Sequence, residues 1–454
     1  MSADQDHSDR LNMWHARRAR DAIAAGEISA TDLVEACLSE IDRRDPDVRA
    51  WTYLDPAAAR AQAAHCDQRR ASGEPLGPLH GLPVGIKDII ATADMPTENG
   101  SAHFIGHQPD ADAQCVATLR AAGAIIMGKT VTTELATRTP GKTRNPHNLD
   151  HTPGGSSSGS AAAVAANMVP LALGTQTGGS VVRPASFCGI YGLKPTLGLV
   201  PRPGVTLQSH TLDTVGTYGR SLDDLALLTA ALDVVDPADE VSYARPPSPL
   251  EHAVVPANGT SATAGPFRIG FARTPAWASA EPNAAAAIET FVGNCPFAIE
   301  DVTFSGAFEQ IVEHHQIVQA CENTLHFGPL FERDPNKFSD GLRKNLEVGA
   351  AIPAKRYLEA MAAREPLYRE LKETLSRFDA VVCLSSTGPA PVSLDWTGDP
   401  IFNGLWTYLG VPTVTLPLLT VDSLPCGVTL VGARRADRKL LAVANWFEQA
   451  LKVS

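Results

Sequence analysis

Two short apolar runs bounded by glycine, "GLPVGIKDII" (Gly81–Ile90) and "GAIIMGKT" (Gly123–Thr130), enclose a helix-like stretch, "DAQCVATLRAAG" (Asp112–Gly123). Strand, helix and strand in that order is the signature of a parallel pair, because parallel strands need a long crossover to rejoin the sheet. This rhythm confines the chain to an α/β architecture. Downstream, "FRIGFA", "DAVVCLS", "PTVTLPL" and "GVTLVG" read as further strands, about Ala307 to Leu375 as a long helical region, and "DRKLLAVANWFEQALK" as a closing helix. Upstream, residues 10–75 read as helices. Thr31–Ile41 has apolar residues at i, i+3, i+4 and i+7, and "DPAAARAQAAHCDQRRA" opens on Asp55 as N-cap with Pro56 in the first turn. Residues 242–266, "SYARPPSPLEHAVVPANGTSATAGP", are rich in Pro, Ala and Ser and lack periodicity, which makes them the linker candidate.

Charge and cysteine usage exclude several classes of function. The net charge is -12, and Lys and Arg form no basic stripe, so the chain is not expected to bind nucleic acid. The eight cysteines are scattered without a C-x-x-C pair, which predicts buried free thiols and neither disulfides nor zinc. The N-terminus, "MSADQDHSDRLNMWHARRAR", lacks the apolar core of a secretory signal, and no run reaches the roughly 18–20 apolar residues of a membrane span. The expectation is a soluble cytoplasmic protein, in which the sequon at Asn258–Thr260 is silent.

Two motif matches fail on context. "GAIIMGKT" fits the phosphate-loop pattern by letter, but its variable positions are apolar strand where an exposed turn is required. "GSSSG" (Gly155–Gly159) fits the nucleophile-elbow pattern, yet a polar, proline-broken loop precedes it where an apolar strand is needed. The adjacent His314 and His315 would point about 100° apart on a helix, and His147 and His151 lie in a loop without carboxylate or cysteine companions. No metal site is expected.

Three stretches place polar residues in unusual company. Lys87 sits inside an apolar strand, where burial disfavours its ammonium and makes it a candidate base, the alternative being a lysine paired with an acid at a strand end. "PGGSSSGS" (Pro153–Ser160) offers glycines for a tight turn and hydroxyls for proton relay, or else a helix-capping loop. "GTQTGGS" (Gly174–Ser180) can aim successive N–H groups at one point beside Ser180, or simply turn from strand to helix. Together the three supply nucleophile, base and oxyanion donors, which is what acyl transfer needs.

In order and spacing, "GLPVGIKD", "TRNPHNLDHTPGGSSSGSAAAVAA", "GTQTGGS", "FCGIYGLKPT" and "SHTLDTVG" resemble the amidase signature family of hydrolases, from about Thr31 to the C-terminus. The resemblance implies one domain over residues 1–454, with a mixed, mostly parallel sheet of about ten strands and helices on both faces. Residues 242–266 then become a variable surface insertion. It further implies Ser180 as nucleophile, Ser156 after a cis peptide bond as bridge, and Lys87 as general base. Thr177, Gly178, Gly179 and Ser180 would form the oxyanion hole, Ser157 a supporting hydroxyl, and no cofactor or metal is implied.

The chain departs from the family string in three places. Gln176 stands where the family has aspartate, Val182 where it has arginine, and Thr429 where it commonly has glutamine. Arg183, one position late, and Gln176 are therefore expected to rebuild the support around the nucleophile. For the acyl pocket, the stretch that lines it in the family offers Glu134 and Leu135, while the aromatic cluster of Phe402, Trp406 and Tyr408 either lines the pocket too or is simply core. The expected substrate is an aryl or alkyl amide, with a carbamate or ester also admissible, and the enzyme a monomer or homodimer. Two further readings stand beside it: an amidotransferase subunit of a tRNA-dependent complex, and a catalytically inactive binding protein.

Overall fold

Among the described residues, eleven strands form a single sheet: β1 (Trp51–Leu54), β2 (Pro83–Lys87), β3 (Ile125–Thr130), β4 (Leu171–Gln176), β5 (Tyr191–Lys194), β6 (Thr214–Gly219), β7 (Ile269–Ala272), β8 (Ile299–Val302), β9 (Ala380–Leu384), β10 (Thr413–Val421) and β11 (Leu424–Val431). Their spatial order is β1-β3-β2-β4-β6-β5-β10-β11-β9-β7-β8. The structure is a computed structural model that describes residues 10–246, 250–254 and 266–452. Of the insertion expected over 242–266, residues 247–249 and 255–265 lie outside the described residues.

The sheet is mixed, as expected, but parallel pairing is confined to its flanks. β3-β2-β4 and β9-β7-β8 are parallel, whereas the pairs β1·β3, β4·β6, β6·β5, β5·β10, β10·β11 and β11·β9 are antiparallel. "Mostly parallel" is thus corrected, and the reason lies in the connections. Helix Gln114–Ala121 carries the chain from β2 back to β3, while β10 and β11 are joined by a tight turn at Asp422 and Ser423, both at positive φ.

The expected helical region 10–75 contains a strand. Helices Ala16–Ala25, Ala30–Val48 and Pro56–Ala71 are present, the last capped by Asp55 as anticipated, but Trp51–Leu54 pairs with β3 at the sheet edge. Four residues are too few for periodicity to reveal. The long helical region resolves into Ile311–Arg333, Asp340–Ala351 and Ala354–Arg377, broken ahead of Pro335 and at Pro353.

Alternation along the strands shows helices on both faces. In β9, Ala380, Val382 and Leu384 pack with Leu440, Leu441 and Phe447 of helix Asp437–Lys452. Val381 and Cys383 pack on the other side with Val318, Leu371 and Trp406 from helices Ile311–Arg333, Ala354–Arg377 and Ile401–Tyr408. No described helix is long and apolar enough to cross a membrane. All eight cysteines are free.

At the β1 edge, two glycines make room for an indole. A Cβ on Gly85 or Gly128 would lie 3.4 or 3.2 Å from ring atoms of Trp51, whose Nε1–H points to Met168 Sδ at 3.3 Å. Trp51→Ala removes this buried ring from its bed. The expected loss is about 3–5 kcal/mol of unfolding free energy, read as a lower denaturant midpoint.

Candidate active site

β2 and β4 are parallel neighbours with Ile86 opposite Leu173, so their carboxyl ends open on the same edge of the sheet. Lys87 is the last residue of β2, and the turn Thr177–Val181 follows β4 directly. The Lys87 amine is fully buried and donates to Ser156 Oγ at 2.7 Å and Thr175 Oγ1 at 2.7 Å. Both partners are neutral hydroxyls. Burial pulls its pKa down to about 7, opposed only by the nearby charge of Asp213.

Ser156 follows a cis peptide bond from Gly155, as anticipated for the bridging position. The neighbouring hydroxyls fasten this loop to the sheet. Ser157 Oγ accepts the Thr175 N–H at 3.1 Å and faces the Thr175 carbonyl at 3.2 Å, while Ser158 Oγ donates to the Gly154 carbonyl at 2.8 Å.

The turn that carries Ser180 is held by its carbonyls. His315 Nε2 bonds the Thr177 carbonyl at 3.0 Å, Thr407 Oγ1 the Gly178 carbonyl at 2.8 Å, the Arg183 N–H the Gly179 carbonyl at 2.9 Å, and Tyr218 Oη the Ser180 carbonyl at 3.0 Å. The Thr177 hydroxyl donates to Asp213. Among the described residues, the N–H groups of Gly178, Gly179 and Ser180 donate to no protein acceptor. With the carbonyls tied away, these three N–H groups are left without a protein partner next to Ser180 among the described residues.

His315 is fully buried, and desolvation pushes its pKa down to about 4, so the ring is neutral and Nε2–H is the donor to Thr177. The sequence leaves His314 and His315 a surface or core role once a shared metal is rejected, but does not show that His315 holds the turn. Among the described residues no group of His, Cys, Asp or Glu could hold a metal ion.

Gln176 and Val182, the two departures nearest the serine, find a common explanation. The Gln176 carbonyl oxygen accepts the N–H groups of Val181 and Val182 at 2.8 and 3.0 Å, opening helix Val182–Cys188. Its amide nitrogen donates to Thr407 Oγ1 at 2.9 Å, the hydroxyl that in turn holds the Gly178 carbonyl. A neutral amide does this without a counter-charge, and Val182 is simply buried. Arg183 turns to the cis peptide, donating through Nη2 to the Gly155 carbonyl at 2.6 Å and to Thr397 Oγ1 at 3.2 Å. Thr429 shares a 2.7 Å hydroxyl contact with Ser385.

Ser180 opens onto a cavity of about 210 Å³, whose wall includes Gly178, Gly179, Arg138, Arg183 and Asn323. None of the four pocket candidates lines it. The Glu134 carboxylate accepts the Ser339 N–H at 3.1 Å, and Leu135 packs with Phe327, Phe338 and Leu342. Phe402 and Trp406 belong to two core clusters on opposite faces of the sheet, and Tyr408 is core as well. An aromatic group close in sequence to a site is drawn into the core whenever its helix face points there, and Ile401–Tyr408 is buried almost throughout. The lysine of the phosphate-loop look-alike, Lys129, is in strand β3 and bonds the Ile90 carbonyl at 2.7 Å.

The chain belongs to the amidase family: the model described as Amidase matches residues 32–441. It is therefore an enzyme that acts on carbon–nitrogen bonds. Over 476 aligned residues, 95% of this chain and 95% of the relative, it is 33% identical to a glutamyl-tRNA(Gln) amidotransferase subunit from Chloroflexus aggregans. The native peptide amidase from Stenotrophomonas maltophilia matches with a TM-score of 0.82 at 30% identity, covering 96% of this chain and 97% of that one. A chain from a vestigial protein complex, described for the evolutionary origins of an s-triazine catabolic enzyme, matches with a TM-score of 0.87 at 29% identity, covering 96% and 98%.

Gln176→Ala leaves two helix N–H groups and Thr407 without their partner. The expected cost is about 1–3 kcal/mol for each buried group left unsatisfied, with a fall in turnover as the Gly178 carbonyl loosens. Thermal unfolding and steady-state kinetics on the same preparation check both effects.

Proposed function

We propose that the protein hydrolyses a carboxamide through an acyl-enzyme on Ser180, with Lys87 as general base acting through Ser156. The observation that carries this reading is the 2.7 Å contact between the dry Lys87 amine and Ser156 Oγ, with no carboxylate bonded to either atom. A lysine whose pKa lies near 7 holds a lone pair at neutral pH. Ser156 passes its proton to Lys87 as it takes one from Ser180, whose oxygen bonds to the amide carbon. The carbonyl oxygen becomes an oxyanion facing the free N–H groups of Gly178, Gly179 and Ser180. When the C–N bond breaks, the relay returns the proton to the departing nitrogen. Water then repeats the attack on the ester, giving the acid and regenerating Ser180.

The chemistry fits two settings. Identity of 33% over 95% of both chains with an amidotransferase subunit favours work inside a multi-chain assembly, where the amide nitrogen is passed on. Likeness to a peptide amidase, at 30% identity, supports a free-standing enzyme. The higher identity gives the assembly more weight. Ammonia release from glutamine that depends on added partner subunits supports it; turnover by the isolated chain in the ordinary range of about 1–1,000 s⁻¹ overturns it.

A fluorophosphonate probe is expected to label Ser180, and Ser180→Ala to abolish both labelling and turnover. Absence of label in the wild-type chain sinks the mechanism and leaves a binding protein. The pH profile gives a second check. Protonation removes the base, so kcat/KM rises with pH through an apparent pKa near 7 and falls about tenfold one unit below it. Lys87→Arg, which cannot give up its charge at these pH values, is expected to be inactive throughout.

A further inference from the structure

The cavity beside Ser180 has a mainly polar wall, in which Trp396 is the one aromatic side chain among the described residues. Two guanidinium groups line it, Arg138 and Arg183, with one carboxylate, Asp399, and the amides Gln319, Asn323 and Asn345. Arg183 is only 4% exposed, and its Nη2 is used on Gly155 and Thr397, while Nε and Nη1 have no protein partner among the described residues. Asn323 is 1% exposed, and neither end of its side-chain amide is bonded. Buried polar groups left in this state cost about 1–3 kcal/mol each, and more when charged, so such a wall implies an occupant that bonds them.

The sign of that occupant follows from charge. Burial pulls the Arg183 pKa down to about 10, with the smaller effect of the Arg138 charge acting in the same direction, and at that value Arg183 stays charged at neutral pH. Asp399 opposes them singly, and its Oδ1 already accepts the Ile401 N–H at 3.0 Å. In a protein of net charge -12, this is a local excess of one positive charge against the reacting serine. Arg138 also lines an adjoining cavity of about 430 Å³, which places a guanidinium where the two spaces meet.

We propose that this cavity binds a compact amide bearing a carboxylate, which Arg183 and Arg138 hold while Asn323 bonds the remaining polar atoms. A single carboxylate matches both the forked geometry of a guanidinium and the excess of one charge; a phosphate overshoots the latter. The volume, about 210 Å³, is below the roughly 300–1,000 Å³ of pockets for drug-sized ligands, which limits the substrate to the size of a short dicarboxylic acid monoamide. This inference rests on the reading of Ser180 as nucleophile only for what happens to the amide, not for binding.

The test separates the two. Binding of glutaramate and of its neutral counterpart glutaramide is measured by calorimetry on the full-length Ser180→Ala protein, which does not depend on turnover. Glutaramate is expected to bind at least about tenfold more tightly, and Arg138→Gln to remove most of that preference, while Arg138→Lys retains part of it. Equal affinity for the two compounds, or a preference untouched in a folded Arg138→Gln protein, overturns the carboxylate site even if Ser180 is labelled and active. Inorganic phosphate binding more tightly than glutaramate overturns it in favour of a phosphate ligand. If glutaramate binds with the expected preference but the wild-type chain takes no fluorophosphonate label, the hydrolase reading fails and the carboxylate site stands.

Discussion

A lysine amine sealed from bulk solvent and bonded to no carboxylate is the constraint around which this protein is organised. Lys87 occupies such a place, with two hydroxyls as its bonded partners among the described residues. An acid within ion-pair distance would lock the proton on the lysine; open solvent would do the same. The sheet resolves the conflict by keeping Asp213 near but occupied with the Thr177 hydroxyl and the N–H groups of Gln208 and Ser209. The parallel register of β2 and β4 then places that tuned amine on the edge where the Ser180 turn begins.

The turn itself depends on the opposite device, the exclusion of charge. Where a carboxylate–guanidinium pair would serve, Gln176 bridges the start of helix Val182–Cys188 and Thr407 through one neutral amide. A neutral bridge carries no desolvation cost of an ion and leaves Arg183 for other work. The arginine therefore reaches across to the Gly155 carbonyl, linking the Ser156 loop to the cavity wall.

Much of this was legible in the sequence, and the reasons for the rest are physical. Lys87 stood out because a charge within an apolar strand is costly, and the helix between β2 and β3 because its period differs from that of its neighbours. The antiparallel centre was hidden, since "YGLK" and "TVGTYG" are short, glycine-containing strands with little contrast between faces. Phe402 and Trp406 stayed undecided between pocket and core because hydrophobicity does not distinguish a cavity wall from a core, and the structure places both in the core. Asn323 escaped notice for the converse reason: a polar side chain on a helix reads as solvent-facing until packing encloses it, while Arg138 is exposed and is marked only by its place beside the cavity.

The four carbonyl ties of the Ser180 turn come from widely separated parts of the chain: Arg183, Tyr218, His315 and Thr407. A ribosome that has released the chain as far as Cys188 has already made the lysine and both serines, yet three of the four residues that tie the turn's carbonyls are still unsynthesised. The full set of ties on the turn thus arrives only with the last third of the polypeptide, from His315 and Thr407.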